Sequence, residues 1–434
     1  MSHQRMSTAS TRVLTPGRPA IAPAPQESVS SEPRAARLRS VISRSVRRVC
    51  TNVFGSRLKS IILTGSLARD EATFARIANL ETVFGDAEFM LVLQRHEAFP
   101  DAALLGVIRQ RIERDLLQRQ IICKIDLSVV RPDYFQRLPP HIFSFELKHC
   151  GRVIWGGDDG LRAIPDYSAG ALSREDAARL LSNRLVELLE YAPEIFNSQI
   201  SVSPAFQYKL LKLYLDMGTS LLVFLGNYAP TYRERQQLLF RLASRAPETK
   251  NLPFDMKAFA ACLAVCTQWK LSPRASLEVA PHLQWREAIR AARTLWRWEL
   301  IQLTGASHAI ADAELFQAWN RMQSQIANLR GWMRVACLCG WRVSSRHWPK
   351  WWKLCLTTGP RFGVYRAAVG LLFGASSGPN GSGSHNKAGT NSFALRHFLP
   401  LADGAQEQNG PDNELMLAAA TISNYREFLV GTRL

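Results

Sequence analysis

The sequence predicts an α+β protein, with a strand-bearing first part and an all-α part behind it. Three observations carry that expectation. Between Lys59 and Val130 stand three apolar runs at strand length, Ile61–Leu63, Phe89–Leu93 and Ile121–Val130. After Ser173 the apolar residues recur at helical spacing, as in Leu181, Leu185, Leu188 and Leu189. A hydrophobic content of 47% over 434 residues is enough to bury substantial cores in two or three domains.

Residues 1–34 are rich in Ser, Pro, Ala and Arg without any period, and read as a disordered basic tail. Residues 35–170 read as the first domain. Ala35–Val53 places Leu38, Val41, Ile42, Val46 and Val49 at helical spacing, with Arg37, Arg39, Arg44, Arg47 and Arg48 between them. That is an amphipathic basic helix leading into the first strand. A second helix is expected over Asp101–Gln118, with Leu104, Leu105, Ile108, Ile112 and Leu116 on one side. A short helix over Ile142–His149 and a short strand over Arg152–Trp155 follow. Within that helix Glu146 and Lys148 read as a surface ion pair.

Residues 171–330 read as a helical domain. Ser173 with Asp176 resembles a capping box, and helices are expected from Pro204 to Leu225 and over Tyr232–Ser244, Asp255–Trp269, His282–Leu303 and Ala309–Leu329. Residues 331–374 form a Trp/Arg-rich basic extension, in which Trp332, Trp341, Trp348, Trp351 and Trp352 alternate with cations. Two readings stand for it: a surface that seats in a membrane interface or stacks on bases, and a helical pair whose tryptophans pack. The second is favoured, because aromatic residues are mostly core. Residues 375–393 are a Gly/Ser/Asn linker, and 394–434 a tail with a last helix over Glu414–Leu429.

The net charge of +18 favours polyanionic partners, either nucleic acid, anionic membrane or nucleotide phosphates. Eight cysteines in so long a chain do not make a disulfide scaffold. Zinc between Cys337, Cys339, His347 and Cys355 is the weaker reading beside buried free thiols. No secretory signal is visible, and Met217–Tyr232 is too short and interrupted to span a membrane. The expectation is a cytoplasmic protein, with peripheral contact at the inner face of an anionic membrane left open.

The chemistry points to the strands. Asp86 and Glu88 stand two apart and so project from one face of a strand. A neighbouring strand brings Asp126 to a comparable place. Three carboxylates together are costly unless a cation neutralises them, and oxygen-only ligands suit Mg²⁺ or Mn²⁺. Gly65 and Ser66 end the first strand, where a glycine lets backbone approach a phosphate and a serine adds a donor. Acids beside a phosphate seat match metal-assisted phosphoryl transfer. No Walker loop, Gly-x-Ser-x-Gly or dinucleotide fingerprint stands in a strand-to-helix context.

The string Gly65-Ser66-Leu67-Ala68-Arg69-Asp70-Glu71-Ala72-Thr73, then Asp86-Ala87-Glu88 and later Asp126, resembles the nucleotidyltransferase superfamily that includes DNA polymerase β. The resemblance covers about residues 55–160. It implies a small mixed sheet flanked by helices, a nucleoside triphosphate substrate and Mg²⁺ or Mn²⁺. By the same resemblance Gly65 and Ser66 seat the triphosphate, Asp86 and Glu88 hold both metals, Asp126 joins the catalytic metal, and Arg69 contacts phosphate. Two features depart from the pattern: Asp86 stands 20 positions after Ser66, a long gap, and the second acid is Glu rather than Asp. Tyr208–Asp216 with Gly226–Arg235 is similar to the helical domain of bacterial small-substrate nucleotidyltransferases, where a basic residue closes over the phosphates. Lys209 and Lys212 are the candidates.

The function expected is transfer of a nucleoside monophosphate to an unidentified acceptor, whether a small molecule, a glycan intermediate, a protein or RNA. The rivals are a nucleotide-binding or regulatory protein without turnover, and a membrane-peripheral scaffold built on the basic Trp-rich region.

Overall fold

The structure, a computed structural model, describes residues 32–197, 199–245, 252–272, 281–376, 395, 398–401 and 411–432. Of the basic tail expected over 1–34, residues 1–31 lie outside the described residues and 32–34 are helical; of the linker expected over 375–393, residues 377–393 lie outside them and 375–376 are helical.

The protein is mixed α+β, with a helical region behind its sheet. Helix α1 (Glu32–Phe54) leads into strand β1 (Leu58–Thr64), and one helical turn, α2 (Gly65–Ala68), follows directly. Strands β2 (Thr73–Ile77) and β3 (Leu80–Leu93) form a hairpin. Its tip, Ala78 and Asn79, takes φ of 47° and 66°, the two consecutive left-handed residues that match a hairpin's twist. Helix α3 (Ala102–Gln118), capped by the Asp101 side chain on the Leu104 amide, returns the chain to β4 (Ile121–Val130). Helices α4 (Asp133–Gln136) and α5 (Ile142–Cys150), strand β5 (Arg152–Gly156) and the turn α6 (Asp159–Arg162) complete this part.

β3 is the axis of the sheet. One edge pairs antiparallel with β1 over Glu88–Leu93 and with β2 over Leu80–Phe84, so β1 and β2 lie end to end along it. The other edge pairs parallel with β4, and β5 extends the sheet beyond β1. The long spacing between Ser66 and Asp86 is therefore the β2–β3 hairpin.

Alternation sorts the side chains of these strands. Ile61, Leu63, Ala87, Phe89, Ile125 and Leu127 face one core, covered by Leu38, Ile42, Val46 and Val49 of α1 and by Ile108 and Ile112 of α3. Ile62, Met90, Val92 and Val130 face a second, smaller core with Phe135, Leu138 and Leu147.

The helical region comprises α7 (Arg174–Leu188), α8 (Ala192–Phe196), α9 (Pro204–Phe224), α10 (Tyr232–Ser244), α11 (Met256–Leu271), α12 (Pro281–Thr304) and α13 (Asp312–Arg321). Then come α14 (Gln325–Cys355), α15 (Pro360–Ser376) and α16 (Pro411–Thr432), which contains the last helix expected from the sequence. Ile142 and Phe145 of α5 belong to the same apolar cluster as these helices, so α5 ties the two parts together.

α14 is two arms. Gly340, at φ 73° and ψ 168°, breaks it, and the arms fold back so that the Trp332 and Trp351 rings lie 5.8 Å apart. Trp332 and Trp351 are buried, whereas Trp348 and Trp352 are exposed. The packed helical pair thus holds for Trp332 and Trp351 and does not extend to Trp348 and Trp352. No helix among the described residues is long and apolar enough to cross a membrane.

Candidate functional site

Between the end of β1 and the start of β2, the edge of β3 at Gly85–Ala87 has no strand partner, because Thr64 pairs with Glu88 and Thr73 with Phe84. The α2 turn fills this gap. Gly65 opens it at φ 65°, and a Cβ there would sit 2.9 Å from Glu88 Cδ. Position 65 thus requires glycine twice over, for its backbone and for the carboxylate lying against it.

The acids fall on the face of the sheet that carries Met90 and Val92, two and four residues before Met90. The small core ends there, leaving Asp86, Glu88 and Asp126 partly buried rather than covered. Glu88 is the register partner of both Thr64 on β1 and Asp126 on β4, which makes one row across three strands. The Thr64 hydroxyl donates to Glu88 Oε2 at 3.5 Å. Asp86 is the register partner of Lys124, whose Nζ lies 3.5 Å from its Oδ1. The acids share a face, yet among the described residues no group of three or more His, Cys, Asp or Glu is gathered to hold a metal ion. Asp86 is drawn to Lys124 and Glu88 to the Gly65 turn.

This face opens into a cleft of about 190 Å³ between the sheet and the helices. One wall is Thr64–Ser66 with Gly85, Asp86 and Glu88; the other brings Glu146 from α5, Arg184 from α7, Tyr208 and Lys212 from α9, Arg235 from α10 and Lys270 from α11.

Three cations of the cleft are held by carboxylates. Arg69 pairs with Glu146 and lies 3.5 Å from Glu71, and Arg235 also pairs with Glu146. Arg184 pairs with Asp216 at 2.6 Å and with Glu187. Glu71 is buried and accepts from the Tyr232 and Arg233 amides at 2.9 and 3.1 Å, so its charge caps the start of α10. Burial opposes the charged form of Glu146, but Arg69 and Arg235 hold its carboxyl below the usual range. Glu146 is therefore the hub of a buried clasp between α2, α5 and α10, and not half of a surface pair with Lys148, which reaches Asp166 at 3.1 Å.

Two lysines differ. Lys270 is buried, donating to Thr73 Oγ1 at 3.1 Å and to the Tyr208 hydroxyl at 3.2 Å. Lys212 sits 5.9 Å from the Tyr208 ring centre. Neither has a carboxylate at ion-pair distance among the described residues. Burial and the charge of Arg184 push the Lys212 ammonium below its ordinary value. Burial alone raises the Tyr208 phenol, but Lys270 and then Lys212 outweigh it and hold the group at about 8. Tyr208 in turn donates to the Phe84 carbonyl at 2.9 Å, fixing the hairpin beside Asp86.

Of the residues singled out from the sequence, Gly65, Ser66, Arg69, Asp86, Glu88 and Lys212 line the cleft. Asp126 stands next to Glu88 in the sheet. Lys209 turns away, to Glu187 at 3.0 Å and Glu190 at 3.4 Å. Arg69 is spent on Glu146 and Glu71. Lys270, Tyr208, Glu146 and Arg235 carried no local signal: each acts with a residue at least 60 positions away in sequence.

No family model matches the chain, and no curated protein shows significant similarity to it.

Proposed function

We propose that the cleft binds a nucleoside triphosphate with Mg²⁺ or Mn²⁺ and transfers its nucleoside monophosphate to a hydroxyl or phosphate of an acceptor, releasing pyrophosphate. One observation carries the reading. The row Thr64, Glu88 and Asp126, with Asp86 beside it, meets the positive-φ Gly65–Ser66 turn at the mouth of a cleft that holds two cations without carboxylate partners.

The donors fit a hard divalent ion: Asp86, Glu88 and Asp126 offer oxygen alone. When bound, such an ion neutralises phosphate charge and makes an acceptor hydroxyl more acidic. The chain's own groups do the rest. Gly65 permits close backbone approach, and Ser66 adds a hydroxyl donor. Lys212 and Lys270 supply positive charge with no carboxylate at ion-pair distance among the described residues. Lys124, now on Asp86, must release it when the ion arrives.

The Lys124–Asp86 pair specifically favours a second reading, a nucleotide-binding protein without turnover. Full-length protein with Mg²⁺ and each labelled triphosphate separates the two. Pyrophosphate released by wild type and lost in Asp86→Ala supports transfer. Binding without pyrophosphate across broad acceptor pools selects the second reading. Absence of both binding and release sinks both.

A further inference from the structure

The basic surface of the α14 hairpin has no role in the cleft. On the first arm Ile326, Leu329 and Met333 are exposed; on the second, Trp348, Trp352 and Leu356 recur every four residues along one face. Ile326 is 63% exposed, Trp352 57% and Leu356 66%. Several large apolar side chains exposed on each arm, with the Trp348 and Trp352 rings 6.2 Å apart, mark an interaction surface. The arms meet through Trp332 and Trp351, so these exposed residues are not what holds the hairpin together.

The charge along this stretch of the chain has one sign. Between Glu314 and Asp403 the chain has eleven Lys and Arg and no Asp or Glu. At the chain's average of 36 acids in 434 residues, these 88 positions would hold about seven. Exposed Arg330, Arg334, Arg346 and Lys353 lie among the apolar residues of the two arms.

We propose that the α14 hairpin docks on an anionic phospholipid bilayer, its exposed tryptophans and aliphatic side chains at the headgroup–acyl boundary and its cations on the lipid phosphates. This goes beyond the reaction assigned to the cleft and does not depend on it. Charge complementarity selects the partner. An anionic surface answers the cations, and an acyl layer answers the aliphatic residues. Nucleic acid would use the cations and the tryptophans, but leaves Ile326, Leu329, Met333 and Leu356 without a partner. A second copy of this chain would set the same cations against each other. Interfacial seating needs no membrane-spanning helix, in keeping with the absence of one among the described residues.

The test is flotation of full-length protein with vesicles of phosphatidylcholine alone or with about 30% phosphatidylglycerol. Binding is expected to the anionic vesicles only. Trp348→Ser/Trp352→Ser should lower the partition coefficient by roughly tenfold or more while leaving its salt dependence in place. Arg330→Gln/Arg334→Gln should lower it by roughly fivefold per cation and flatten the salt dependence. Both variants replace exposed side chains, so their thermal unfolding should match wild type. Three results overturn the proposal: no flotation with anionic vesicles, equal flotation of wild type and both variants, or binding to single-stranded RNA with none to vesicles. A wild-type dimer that the tryptophan variant converts to monomer, without vesicle binding, would assign the surface to a second copy instead.

Discussion

Glu146 is the side chain on which the two parts of the protein depend most. It answers both Arg69 and Arg235, whose side chains are 7% and 3% exposed. Glu146→Gln keeps the shape and removes the charge. Arg69 retains Glu71 at 3.5 Å, but Arg235 is left with neutral acceptors, among them the Ala229 carbonyl at 2.7 Å and Thr219 Oγ1 at 2.9 Å. Removing one partner of a buried pair costs roughly 3–5 kcal/mol, and the surviving acceptors place this case near 3. For 434 residues unfolding as one unit, that corresponds to a fall in melting temperature of roughly 3 °C. Urea unfolding of wild type and variant measures it, repeated in about 0.5 M NaCl, where a buried pair loses little to screening. The pH dependence has a definite sign. Glu146 titrates below the ordinary 4.5 in the folded protein, so its contribution is complete above 4.5 and is lost as the pH falls through the depressed folded value. A loss under about 1 kcal/mol, or one abolished by salt, would mean that the arginines are solvated and the clasp is not buried.

Two further outcomes follow from single positions. Gly65→Ala forces a Cβ into a left-handed residue at φ 65° and within 2.9 Å of Glu88 Cδ. It should lower stability by about 1–2 kcal/mol and nucleotide affinity by more than roughly tenfold; unchanged affinity by equilibrium dialysis would remove Gly65 from the site. Glu299, fully buried on α12, is pushed by burial up to about 8 from an ordinary 4.5, the Ser220 hydroxyl opposing that rise only in part. The folded state therefore holds a proton that the unfolded state gives up between those values, so stability falls as pH rises from 4.5 to about 8. Glu299→Gln should raise stability at pH 7 by roughly 3 kcal/mol and flatten that slope; a variant as pH-sensitive as wild type would refute the assignment.

Local pattern revealed the faces but not the partners. The alternation in Ile121–Val130 assigned Asp126 a side of its strand, and the two-residue spacing of Asp86 and Glu88 did the same. The Ser173 cap and the starts of α3 near Asp101 and of α9 at Pro204 follow from signals within one or two turns. Lys209 and Lys212 looked alike from the sequence because both flank a leucine stripe. Only the packing of α9 on α7 separates them, presenting Lys209 to Glu187 and Glu190 and Lys212 to the cleft. Arg69 follows the Gly-Ser turn as a phosphate contact would, yet α5 brings Glu146 within its reach. Glu71, alongside it, finds its partners 161 and 162 residues away.

The same long-range packing bears on the anion binding proposed for the cleft, which is also lined with acids. A buried cation already matched by a carboxylate offers a triphosphate little, since its charge is cancelled at a few ångströms. Arg69, Arg184 and Arg235 are in that position, and their ion pairs serve to hold α2, α7 and α10 around the opening. Lys270 is not. It reaches its place because α11 ends against β2, where Thr73 accepts from its ammonium and donates to its own carbonyl at 2.8 Å. A buried ammonium with only hydroxyl partners is costly to keep, and the cost is recovered when an anion arrives. Lys212 shares the Tyr208 ring with it, so the two charges bear on one phenol across the opening from Asp86 and Glu88. Two lysines without an ion-pair carboxylate on the helical wall, facing Asp86 and Glu88 on the sheet wall, are the arrangement on which the proposed metal-bound polyphosphate rests.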